Sequence, residues 1–214
     1  MSKFKAALFD LDGVVFDTEP QYTFFWGKQC REFHPERPGL EKDIKGQTLT
    51  QIFNKHFCGD LEAAQQLITN RLNAFEKEMS FDYVTDFDCF VSLLRENGIK
   101  TAVVTSSNNA KMQSVYAKHP EFKGLFDAIL TSENFTQSKP HPDCYLTASK
   151  LFELEPKDCI VFEDSFNGLK SGRAAGMKVI GLSTTNTPEA IKPYSDMVIA
   201  DYSKLSIETC ESLL

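Results

Sequence analysis

The stretch Ala6-Ala7-Leu8-Phe9-Asp10-Leu11-Asp12-Gly13 decides the fold. Its four opening apolar residues are too few for a helix and lack polar alternation, the pattern of a strand buried on both faces of a parallel sheet. Asp10 and Asp12 then stand at the carboxyl end of that strand, the edge of an open α/β sheet where ligands bind. A single aspartate there would be an ordinary strand terminator. Two at i and i+2, followed by glycine, point to the same side of the exit turn, a geometry suited to a divalent cation.

Outward from this strand the pattern changes. From about Asp17 to Met79 there is no strand signal, only helical periodicity: Tyr22, Phe25 and Trp26, then Leu49, Ile52 and Phe53, then Leu61, Ala64, Leu67, Ile68, Leu72 and Phe75. Turn residues interrupt it at His34-Pro35-Glu36-Arg37-Pro38-Gly39 and near Cys58-Gly59-Asp60. Beyond it helix and strand alternate. A helix through Phe87, Phe90, Val91 and Leu94 stops at Asn97-Gly98, and strands are expected at 101–104, 128–130, 160–162, 179–182 and 197–200. Such alternation means a parallel sheet with crossover helices. The expected fold class is α/β, a Rossmann-like parallel core formed by residues 1–16 and 82–214, with an inserted α-helical cap at 17–81.

Composition narrows the function classes. The 214 residues carry 23 Lys and Arg against 30 Asp and Glu, a net charge of −7, so no broad basic footprint for nucleic acid is expected. No apolar run approaches the roughly 18 residues that span a membrane, and the start of the chain lacks a signal-peptide core. A cytoplasmic location is the expectation, with no obligate protein partner evident. The cysteines at 30, 58, 89, 144, 159 and 210 form no C-x-x-C pair and read as reduced thiols, mostly buried. The histidines at 34, 56, 119 and 141 show no metal-ligand spacing and read as surface or packing residues.

Four strand ends or their adjoining loops carry complementary polar groups. They are Asp10 and Asp12, Thr105 and Ser106, Lys139 within Ser138-Lys139-Pro140-His141-Pro142, and Glu163 with Asp164. A parallel sheet brings such ends to one edge. Hydroxyls and an ammonium would hold phosphate oxygens, and carboxylates would hold Mg²⁺, a hard ion that prefers oxygen. The set reads as a phosphoryl-transfer site. Ser165 reads as a helix N-cap, and the aromatic cluster Phe24, Phe25 and Trp26 as packing.

In order and spacing these motifs resemble those of the haloacid dehalogenase superfamily, in the β-phosphoglucomutase-like branch whose α-helical cap follows the first motif. The resemblance covers nearly the whole chain. It implies Asp10 as the nucleophile that forms an aspartyl-phosphate, and Asp12 as the acid that protonates the leaving oxygen and then the base that activates water. It implies Thr105 and the Ser106 backbone as holders of the phosphoryl oxygens, and Lys139 as the cation that neutralises charge as it develops. Mg²⁺ would be ligated by Asp164, by Asp10 and by the backbone carbonyl of Asp12, with Glu163 either a ligand or a support behind it. Ser107 and Asn109 match positions lining the phosphate site. Tyr22, Lys45, Gly46 and Gln47 match cap positions that meet the substrate.

Two departures bear on the reaction. The mutase pattern has a cap histidine where this chain has Tyr22, and an arginine gripping a second phosphate where this chain has Leu49. Leaving a dianionic group unpaired in a closed site costs about 2–5 kcal/mol, so hydrolysis of a small phosphomonoester is expected ahead of mutase activity. Lys42, Lys55 and Arg71 are the candidate replacement cations. A catalytically silent phosphometabolite binder is the alternative of another class, and it has no need of Asp12. A third departure, Val84-Thr85-Asp86-Phe87 in place of a Pro-Gly turn, implies a differently shaped return from the cap.

Overall fold

The computed structural model describes residues 4–214. Strand β1 (Ala6–Phe9) is fully buried and pairs in parallel with β2 (Lys100–Val104) on one side and β4 (Cys159–Glu163) on the other, with Phe9 level with both Val103 and Phe162. With β3 (Ala128–Leu130), β5 (Lys178–Leu182) and β6 (Met197–Ile199) they form one six-stranded parallel sheet in the order β3-β2-β1-β4-β5-β6. Successive strands step outward from β1 first one way and then the other. The order therefore reverses between β1 and β4, the crevice where doubly wound sheets bind ligands.

The strands show no polar alternation because both faces are covered. Ala7 and Phe9 belong to one cluster, with Val103, Ile160 and Phe162, beneath Phe87, Phe90, Val91 and Leu94 of helix α5 (Phe87–Glu96). Ala6 and Leu8 belong to the opposite cluster, with Val104 and Val161, beneath Tyr145 and Ala148 of α7 (Asp143–Leu151) and Leu169 of α8 (Phe166–Ala174). Phe9 stacks on Phe162 at 4.6 Å and meets Phe87 edge-on at 5.3 Å. Truncating such a residue to alanine costs about 3–5 kcal/mol, so the strand that carries Asp10 is firmly seated.

Between β1 and α5 lie the four helices α1 (Glu19–Phe33), α2 (Leu40–Ile44), α3 (Leu49–His56) and α4 (Glu62–Glu78). They pack on their own apolar cluster, which includes Phe25, Trp26, Ile52, Phe57, Ile68 and Leu72. Phe24, expected to pack with its neighbours, is 63 % exposed. Thr48 and Gln51 form a reciprocal capping box that starts α3 directly after the loop 45–47. On the return to the core Asp86 adopts a positive φ of 61° at the N-cap of α5. Among the described residues all six cysteines are free and no helix is long and apolar enough to cross a membrane.

Candidate active site

Asp10 leaves β1 with its backbone N–H still bonded to Phe162 O at 3.0 Å, so the ladder extends to the first carboxylate. The next turn is tight. Gly13 has φ +72°, and a Cβ there would lie 2.1 Å from Asp164 Oδ2. Only glycine lets the chain pass between the two aspartates, which explains the glycine after Asp12.

Lys139 joins the strand ends. Its Nζ donates to Asp10 Oδ1 at 2.6 Å, Glu163 Oε1 at 2.6 Å and Val104 O at 2.9 Å, and it is buried. Burial alone would lower its pKa, but the facing carboxylates of Asp10 and Glu163 override that and hold it well above the ordinary lysine value. Glu163 is engaged on both oxygens. Oε1 also accepts from Tyr145 Oη at 2.9 Å, while Oε2 accepts from Asp164 N–H, Ser165 N–H and Ser165 Oγ at 3.1, 3.3 and 3.2 Å. Gly168 leaves the room this needs, since a Cβ there would fall 1.7 Å from Glu163 Oε1.

Asp12 faces three donors: Thr18 Oγ1 at 2.6 Å, Ser107 Oγ at 3.3 Å and the ammonium of Lys111. Thr105 Oγ1 accepts from Ser107 N–H at 3.0 Å and shapes the loop leaving β2. Asp164 is held by Thr185 Oγ1, and its carbonyl accepts from Asn186 Nδ2 at 3.0 Å.

Oxygens of Asp10, Glu163 and Asp164 lie within 4.8 Å of one another, with the Asp12 carboxylate outside this trio. Burial, resisted by Lys139, pushes Asp10 up to about 7, and burial with the charge of Glu163 pushes Asp164 well above the carboxylate range. Three buried carboxylates with one lysine between them are short of positive charge. An oxygen-only donor set with that deficit fits a hard divalent cation such as Mg²⁺. Because Glu163 already accepts five protein hydrogen bonds, Asp10 and Asp164 keep the capacity to ligate.

These groups open onto a cavity of about 480 Å³. Asp10, Asp12, Thr105, Ser106, Ser107, Lys139 and Asp164 line it from the sheet edge, and Tyr22, Lys45, Gly46 and Gln47 from the helical insert. Glu163 lies just behind the wall. Asn109 is the exception: as the first residue of α6 (Asn109–Lys118) it turns away, its N–H bonding Glu133 and its side chain meeting Thr131, whereas its neighbour Asn108 caps the helix and lines the cavity. Gly46 sits against Ser165, and Asn167 Nδ2 donates to Gly46 O at 3.0 Å and Gln51 Oε1 at 3.1 Å, tying the insert's loop to α8.

Several functional candidates carry no motif in the sequence. Lys111 is the chief one; it stands in the first turn of α6, three residues after the N-cap Asn108. Thr18, Tyr145 and Thr185 act through contacts 6 to 21 residues from their partners in the chain.

The model of the haloacid dehalogenase-like hydrolases matches residues 7–182. The chain belongs to that family. It is 32 % identical over 192 residues to Hexitol phosphatase A of Escherichia coli, with 86 % of each chain covered. It is 28 % identical over 215 residues to the Bifunctional riboflavin kinase/FMN phosphatase of Arabidopsis thaliana; 94 % of this chain is covered but only 52 % of that protein, so the chain spans about half its length. The crystal structure of a HAD hydrolase, family IA, variant 3 from Entamoeba histolytica superposes with a TM-score of 0.84 at 24 % identity, covering 98 % of this chain and 99 % of the other. As a member of the family the chain is an enzyme, and its sheet is the family's fold.

Proposed function

We propose that this hydrolase is a Mg²⁺-dependent phosphatase acting in the cytoplasm on a small phosphomonoester, with Asp10 as nucleophile. The observation that carries the reading is Asp10 fixed by Lys139 at the β1–β4 crevice, facing a cavity with Asp12 at its side. Asp10 and Asp164, with the backbone carbonyl of Asp12, would hold the Mg²⁺, which when bound offsets charge on the phosphoryl oxygens. Asp10 attacks phosphorus and becomes an aspartyl-phosphate. Asp12 passes a proton to the departing oxygen, then removes one from the water that attacks the phosphoaspartate. Thr105 and the Ser106 backbone orient the phosphoryl group, and Lys139 balances the charge on Asp10 and that group. Glu163, saturated by donors, positions Lys139.

Mutase activity is the weaker reading because no arginine lines the cavity among the described residues. Arg71, one candidate to grip a second phosphate, is committed to Glu32 at 2.7 and 3.1 Å and to Gln29 at 2.8 Å. Lys42 and Lys55 are not among the cavity residues. A silent binder would leave Asp12 without a purpose.

The test is release of phosphate from p-nitrophenyl phosphate and a panel of sugar and polyol phosphates. Turnover should require Mg²⁺ and vanish in Asp10→Asn. A folded, metal-loaded protein that releases no phosphate from any ester would overturn the reading, and conversion of glucose 1-phosphate to glucose 6-phosphate with catalytic bisphosphate would replace it with the mutase.

A further inference from the structure

The charges around the cavity are unevenly matched. Each of its three lysines faces an acid: Lys139 bonds Asp10, Lys111 pairs with Asp12, and Lys45 lies close enough to Glu19 to draw its pKa down against burial. Glu76, in contrast, makes no ion pair among the described residues, although the Lys111 ammonium, already paired with Asp12, lies near enough to draw its pKa down against burial. The hydroxyl of Tyr22, at 2.8 Å, is the one hydrogen-bond donor its carboxylate has among the described residues.

Glu76 is also placed to meet a substrate. Thr69, Leu72, Asn73 and Glu76 stand at i, i+3, i+4 and i+7 of α4, a single helix face, and all four line the cavity. Opposite them Tyr22 and Trp26 come from one face of α1. A chain of contacts connects this end to the chemistry: Asp12 bonds Lys111, the Lys111 ammonium lies 4.8 Å from the centre of the Tyr22 ring, and Tyr22 bonds Glu76. A group that departs across Asp12 therefore extends toward α4.

Resting on the phosphomonoester reading, we infer that Glu76 is a specificity-determining residue: it accepts a hydrogen bond from a hydroxyl or ammonium of the departing alcohol and excludes alcohols that bear a second anionic group. A half-buried carboxylate with one donor has acceptor capacity to spare. Burial pushes its pKa up against the pull of the Lys111 ammonium, so the ionised carboxylate gains from a donor supplied by the substrate and loses from a second like charge beside it. The face adds polarity without positive charge: Thr69, whose hydroxyl donates to Gln65 O at 2.8 Å, can still accept and Asn73 can donate or accept, but neither can neutralise a carboxylate or a second phosphate. Selection by repulsion of the wrong ligand accompanies selection by attraction of the right one.

Binding tests this without turnover. Calorimetry on Mg²⁺-loaded Asp10→Asn protein compares sorbitol 6-phosphate, glucosamine 6-phosphate, 6-phosphogluconate and orthophosphate. The polyol and the amino sugar should each bind at least about 30-fold more tightly than 6-phosphogluconate. Adding Glu76→Gln, close in shape and uncharged, should shrink that ratio to within about threefold while orthophosphate, which probes the phosphate end alone, keeps its affinity. Equal binding of the three esters, no binding by any of them, a ratio unmoved by Glu76→Gln, or parallel weakening of orthophosphate would each overturn the inference. Failure of the phosphatase reading appears separately, as absence of phosphate release by the unmodified enzyme.

Discussion

Lys139 donates to Asp10 across 2.6 Å although 129 positions separate them, and both side chains are largely buried, at 5 % and 14 % exposed. The same ammonium holds Glu163 at 2.6 Å. Replacing it with methionine strands two carboxylates in a dry site. Lys139→Met is expected to lose about 3–5 kcal/mol of stability near pH 8 and at least about a thousandfold in kcat. The stability loss should shrink at pH 5, where Asp10 can take up a proton. Urea unfolding at the two pH values with phosphate-release kinetics checks this, and near wild-type turnover would refute it.

Gly168→Ala places a methyl group where Glu163 stands, 1.7 Å from Oε1. Glu163 has no free direction to move, because both its oxygens are bonded. Overpacking of this kind costs about 1–3 kcal/mol, and kcat should fall with it as Lys139 loses its seat. Gly124→Ala, where an added Cβ meets nothing within 4 Å, should stay within about 0.5 kcal/mol. Indistinguishable urea midpoints for the two variants would contradict the geometry.

Glu19 is raised to about 7 by burial and by the charge of Asp12. Between its ordinary value and about 7 the folded chain holds a proton that the unfolded chain releases, so this group stabilises the fold less as pH climbs through that window. Metal-free protein should lose about 1–3 kcal/mol between pH 5 and pH 8 relative to Glu19→Gln. Denaturant midpoints of the two proteins at pH 5, 6, 7 and 8 give the measurement. Parallel curves would show that Glu19 titrates normally.

Bound as proposed, Mg²⁺ would displace the proton that burial favours on Asp10, whose pKa is pushed up to about 7. Its affinity should rise with pH as Asp10 and Asp164, both pushed up by burial, give up their protons. Calorimetry at pH 6 in buffers of different ionisation enthalpy should detect at least about one proton released per ion bound. A binding enthalpy that does not vary with buffer would count against this.

The sheet was legible in sequence because a doubly buried strand leaves an unmistakable apolar run, and each run here is followed by the polar groups that end it. Asp10, Asp12, Lys139 and Asp164 were legible for the same reason, since strand ends converge wherever the sheet is parallel. Lys111 was not, because a lysine on the first turn of a helix looks like any solvated cation until Asp12 is placed beside it. Asn109 misled through its neighbour: the N-cap role fell to Asn108, and one step along a helix rotates a side chain by about 100°. Glu163 could be ranked only once Tyr145 and Ser165 were seen to occupy its oxygens. Phe24 shows the limit of composition, an aromatic on the outward face of α1 with no core to join.

The position of β1 at the middle of the sheet has a consequence for how the molecule is made. The first strand of this sheet to be synthesised finds its two neighbours only at Lys100 and Cys159, so one of its edges waits for nearly half of the 214 residues and the other for about three quarters of them. The helices of the insert, whose contacts are closer in sequence, have no such delay. A nascent chain halted ahead of residue 159 would expose one edge of Ala6–Phe9 and lack Glu163 and Asp164 altogether, making it prone to sticking and inert. Chemistry arrives last, when the final carboxylates come into place against the earliest strand.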